Sequence, residues 1–62
     1  MENNYKRFSV MVLKHGENVP MWFTFDRYED AKQRSLIAIK FPFVQKVVIK
    51  DNDGEMDDEI LP

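Results

Sequence analysis

Few side chains in this sequence are of the types that carry covalent chemistry, and their spacing keeps them apart. There is no cysteine, which removes disulfides and thiolate metal sites together. The one histidine, His15, lies in His15-Gly16-Glu17-Asn18, a stretch that reads as a solvated turn. A nucleophilic Ser or Thr needs a base beside it and a third group to orient that base, and His15 offers no such arrangement. A zinc site built on a single imidazole would need several carboxylates around it. Gly16 and Gly54 are the only glycines, too few for a phosphate-cradling loop. Asp51-Asn52-Asp53-Gly54 invites comparison with a calcium loop. With Gly54 at the sixth loop position, Ile49 and Ile60 fall at positions one and twelve, where acids must ligate. The expectation is no catalytic residue, no cofactor and no metal.

Binding is the remaining chemistry, and the charges are arranged for it. Residues 1–50 hold all nine basic side chains against five acidic ones, whereas residues 51–62 hold six acids and no base. The net charge of −2 therefore hides a basic body and an acidic end. Arg7, Lys46 and Lys50 are predicted to share a strand face with Trp22. Such a face can grip phosphates while the ring stacks on a base, although the acidic end would compete for it. The same face also reads as a protein-docking surface with Met11, Trp22 and Val48 as apolar anchors, since Trp is enriched among interface hot spots. Asp57, Asp58 and Glu59 would then steer toward, or block, a basic site on the partner.

The elements that position these residues follow from periodicity. Residues 5–14 alternate with period two, placing Phe8, Val10 and Val12 on one face and Arg7, Ser9, Met11 and Leu13 on the other. Gly16 supplies a tight turn, and residues 20–25 form a second strand with Met21, Phe23 and Phe25 opposite Trp22 and Thr24. Asp26 and Glu29 have the spacing of a capping box, so a helix is predicted from about Arg27 to about Lys40, ended by Pro42. Tyr28, Ala31, Ser35, Ala38 and Ile39 share its inner face, with Ile37 alone among polar neighbours. In a third strand, Phe43–Lys50, Phe43, Val47 and Ile49 face the helix if Gln45 sits near the sheet edge, and Val44, Lys46, Val48 and Lys50 then face away. Glu55–Pro62 is either a short fourth strand or a tail, with the clustered acids favouring a tail beyond Asp57.

The predicted fold is α+β of ββαβ type. It has a three-stranded antiparallel sheet of order 2-1-3, one helix on one face, and a possible short fourth strand. Residues 1–54 form the domain and 55–62 an acidic C-terminal tail. A chain of 62 residues buries only about 60% of the surface it exposes unfolded, so its aromatic side chains must supply much of the core. No stretch reaches the roughly 20 apolar residues of a membrane helix. Met1-Glu2-Asn3-Asn4-Tyr5 lacks a signal-peptide pattern, and a cytoplasmic protein is expected. It would be a monomer, or a homodimer through the open sheet face.

The stretches Lys6-Arg7-Phe8-Ser9-Val10-Met11-Val12, Val19-Pro20-Met21-Trp22-Phe23, Tyr28-Glu29-Asp30-Ala31 and Val47-Val48-Ile49-Lys50 together resemble the small bacteriophage inhibitors of bacterial RNA polymerase in strand–strand–helix–strand order. The acidic end departs from that pattern, so no polymerase contact is carried over. The resemblance implies a class of compact, cofactor-free phage proteins that act by occupying a host enzyme's surface. The expected function is a non-enzymatic protein-binding module that modulates or inhibits a host protein by steric and electrostatic occupation. A nucleic-acid binder using Arg7, Trp22, Lys46 and Lys50 is the alternative.

Overall fold

A computed structural model describes residues 6–54 and 57–62. The readings made on residues 1–5 and on Glu55 and Met56 lie outside the described residues. The chain runs β1 (Phe8–Lys14), β2 (Met21–Phe25), α1 (Tyr28–Ala38), β3 (Val44–Asp51) and β4 (Asp57–Ile60). The four strands form one sheet of order β2-β1-β3-β4, with every neighbouring pair antiparallel. This is the expected ββαβ arrangement with the fourth strand added. The lean toward a tail beyond Asp57 is corrected. Asp57, Asp58, Glu59 and Ile60 pair with Lys50, Ile49, Val48 and Val47. The acids are accommodated because Asp57 stands opposite Lys50, and Glu59 makes a 3.3 Å ion pair with Lys46. Cross-strand charge complementarity thus offsets the like-charge repulsion along β4.

Strand alternation sorts the sheet into two faces as expected. Val10 pairs with Phe23 and Ile49, and Val12 with Met21 and Val47, so these side chains converge under the helix. Val10, Val12, Ala31, Val44, Val47 and Ile49 form the buried core, with Phe8, Phe23, Phe25, Tyr28, Ala38, Ile39 and Ile60 packed around it. Small Ala31 and fully buried Ser35 let α1 lie close to the sheet. The Ser35 hydroxyl donates to the Ala31 carbonyl at 2.7 Å, which removes the cost of burying it.

Two local expectations are corrected. Val44 does not face away from the helix. The β1–β3 register shifts between Leu13 and Lys14, so Leu13 pairs with Lys46 while Lys14 pairs with Val44. Gln45 is therefore an extra residue on β3. Such a bulge reverses the alternation on one side of it. Val44 is buried in the core and Phe43 is 51% exposed. The capping box is also absent. Arg27, in extended conformation, is the N-cap, and no side chain caps the helix. Glu29 and Asp30 in the first turn instead favour the helix dipole. At the other end α1 stops two residues before the expected Lys40. The Lys40 and Phe41 N–H groups bond to the carbonyls of Ile37 and Ala38 at 3.2 and 3.1 Å, a tightening typical of a helix end.

Two connections are fixed by hydrogen bonds. Gly16 has φ +78°, the left-handed conformation glycine adopts without strain, and Glu17 N–H bonds to the Lys14 carbonyl at 3.2 Å. The α1–β3 link turns at Pro42, with Val44 N–H on the Phe41 carbonyl at 3.1 Å and His15 N–H on the Phe43 carbonyl at 2.9 Å. No helix among the described residues is long and apolar enough to cross a membrane.

Candidate functional site

Among the described residues no element covers the sheet face away from α1, and the register fixes who stands where on it. Met11 pairs with Trp22 on one side and with Val48 on the other, and Val48 pairs with Glu59. One row thus crosses all four strands as Trp22, Met11, Val48, Glu59. The next row runs Thr24, Ser9, Lys50, Asp57. Trp22 is 51% exposed and Met11 is half-buried. Val48 is buried despite facing outward, so it supports Met11 from beside it and leaves Trp22 and Met11 as the accessible apolar part of this row. The Lys50 ammonium lies 6.0 Å from the Trp22 ring centroid, within cation–π range.

The predicted acidic trio is divided by the strand it forms. Asp57 and Glu59 point to the uncovered face, whereas Asp58, one residue out of phase, points to the helix side. There it accepts a hydrogen bond from the Tyr28 hydroxyl. That bond, with burial and the nearby negative charge, pushes the Tyr28 phenol above its ordinary range. Asp58 therefore ties β4 to α1 and does not reach outward.

The predicted basic set is also largely engaged within the chain. Arg7 forks onto Asp51, Nε to Oδ1 at 2.9 Å and Nη2 to Oδ2 at 3.0 Å, and lies 3.6 Å from Asp53. The Arg7 guanidinium first, then the Asp53 N–H, holds the Asp51 carboxyl below the usual carboxylate range. Lys46 is paired with Glu59. The turn after β3 is stitched to β1 by Asn52, whose N–H bonds to the Arg7 carbonyl at 2.8 Å and whose Nδ2 donates to Lys6 O and Ser9 Oγ. The donors and acceptors of Asp51-Asn52-Asp53 are thus committed to closing the turn. Among the described residues no three metal-ligating side chains cluster. His15 stands exposed in the β1–β2 turn.

A second feature lies on the other side of the sheet, beyond the last turns of α1. Val12, Val44 and Ala38 floor a cavity of about 260 Å³. Met21 and Phe23 wall it from β2, and Ile37, Phe41 and Phe43 wall it from the helix and the following turn. Lys14 and Arg34 stand at its rim. Phe41 and Phe43 stack with centroids 5.4 Å apart. Read from the sequence, Ile37 is an isolated apolar residue and Phe43 lies on the helix-facing side of its strand. The readable signal was Phe41-Pro42-Phe43 following Ile37 at the helix end. Without the bulge at Gln45, nothing placed those rings beside Met21. Compared with protein families, with curated proteins and with solved structures, the chain matches none of them.

Proposed function

We propose that this chain is a non-enzymatic protein-binding module that docks through the uncovered sheet face around Trp22 and Met11. The observation that carries this reading is the half-exposed Trp22 in a row with Met11 and buried Val48. A large aromatic on a rigid strand, backed by a packed side chain, has the makings of an interface anchor. The surrounding charges are balanced within the chain: Lys46 by Glu59, and Lys50 facing Asp57 across the strands. A face of this kind suits a protein partner that presents an apolar pocket for the indole within a polar rim. The resemblance in strand order to phage polymerase inhibitors adds a bacterial host enzyme as the kind of partner.

The same pairings count against the nucleic-acid reading. A phosphate would have to displace Asp51 from Arg7 and Glu59 from Lys46 before either cation could serve it. Affinity capture with the wild type and Trp22→Ala, followed by identification of what is retained at moderate salt, tests the proposal. Retention of a defined protein that falls about tenfold or more with Trp22→Ala supports it. Retention of nucleic acid alone, lost steeply with salt, would overturn it.

A further inference from the structure

We propose that the groove at the C-terminal end of α1 is a second docking site, and that its occupant is an acidic peptide segment of a partner protein. The segment would bring one or two large apolar side chains flanked by carboxylates. This site is separate from the Trp22 face and goes beyond the function proposed for it.

The groove is apolar to a degree a solvated surface of this size does not need. Met21, Ile37, Phe41 and Phe43 are 43%, 53%, 48% and 51% exposed, and all four converge on one cavity instead of being scattered. Convergent exposed apolar side chains with a few placed polar groups are the usual makings of a binding site. The cavity, at about 260 Å³, holds side chains and not a whole folded surface.

Charge decides the class of occupant. Lys14 and Arg34 are the ionic groups on the lining. Unlike Lys46, neither has a carboxylate within ion-pair distance among the described residues. Each instead lies beside a ring of the wall, Lys14 5.5 Å from the Phe43 centroid and Arg34 5.8 Å from that of Phe23. No acid stands on the lining; Glu17 lies in the turn after Lys14, its N–H on the Lys14 carbonyl, and the acids of α1 and β4 are placed elsewhere. Glu29 and Asp30 occupy the first turn of α1, at the end away from Ile37. Asp57, Asp58 and Glu59 lie on β4, the sheet edge opposite β2. An incoming carboxylate thus meets two cations and no competing acid on the lining, while its apolar neighbours enter the cavity.

The groove is also preorganised, which lowers the cost of binding. The Phe43 carbonyl is held by His15 N–H and the Phe41 carbonyl by Val44 N–H, so the aromatic wall is fixed to β1 and β3. The chain's own acidic segment does not supply the occupant. It is hydrogen-bonded along β3, and its Ile60 is packed on the core.

The test is a titration of the ¹⁵N-labelled full chain with the peptide acetyl-Asp-Glu-Leu-Phe-Asp-Glu-amide. Two parallel peptides carry Asn and Gln, or Lys, in place of the acids. The expected result is saturable shifts at Ile37, Phe41 and Phe43, with the neutral peptide about tenfold weaker or worse and the Lys peptide weaker still. A Lys14→Gln, Arg34→Gln double variant should lose that preference, and Ile37→Asp should abolish binding. Trp22→Ala should leave it unchanged. Ile37 is half exposed, so its variant keeps its fold, which circular dichroism verifies. Absence of shifts at millimolar peptide, equal binding of the three peptides, or shifts centred on Trp22 would overturn the proposal. So would sedimentation showing a dimer that covers the groove, or decanoate filling it at lower concentration than the peptide.

Discussion

Arg7 and Asp51 form a two-point ion pair, and its worth depends on pH. The guanidinium lowers the Asp51 pKa in the folded state. The pairing therefore contributes stability above the ordinary carboxylate pKa, and that contribution is lost as pH falls through the lowered folded value. Arg7→Ala should raise the Asp51 pKa toward the usual carboxylate range and move acid unfolding to higher pH. Carboxyl carbon shifts followed by NMR titration check this, and an unchanged Asp51 titration would contradict it. Tyr28 behaves in the opposite sense. Its pKa is raised by donating to Asp58, so its contribution is complete below the ordinary phenol pKa and disappears as pH rises through the folded value. Tyr28→Phe should loosen β4 selectively. Amide exchange at Asp58–Ile60 should accelerate while exchange at Val10 and Val12 changes little. Sequence alone gave Asp58 to a partner because its acidic neighbours invited a common role. The two-residue period of a strand separates it from them.

At the scale of elements, the bulge at Gln45 decides which side of β3 is core. Val44 is 3% exposed and Phe43 51%, the reverse of what plain alternation predicts. Val44→Ala should destabilise the domain by about 2 kcal/mol, and Phe43→Ala by less than half of that. Denaturant unfolding of the two variants measures the difference, and the opposite ranking would refute the register. Strands β1, β2 and β3, the turn at Gly16, the inner face of α1 and the order of β2, β1 and β3 were legible because each rests on local periodicity or turn chemistry. The bulge was not, since one residue inserted in a regular apolar run leaves no local signal. The helix start was misread for a related reason. Asp26 and Glu29 have capping spacing, yet the chain leaves β2 in extended conformation through Arg27. β4 was obscured by its charges, whose partners Lys46 and Lys50 lie on another strand. Truncation after Gly54 should accordingly do more than remove a tail. It strips Ile60 from the core and bares the β3 edge, so the shortened chain should self-associate more strongly in sedimentation than the full chain.

For the whole molecule, one helix covers one face of the four-stranded sheet, and among the described residues no element covers the other, the face proposed to dock. The antiparallel sheet tolerates that exposure, and in the docking proposal the balanced charges around Trp22 leave apolar area as the main driving force. The most direct test places a photo-crosslinking benzoylphenylalanine at Trp22 and, as control, at Asp30 on the exposed face of α1. The docking account predicts one defined protein adduct from the Trp22 position in bacterial lysate, competed by unlabelled wild-type chain and absent from the Asp30 position. Adducts of equal yield from both positions, or adducts to nucleic acid alone, would contradict it.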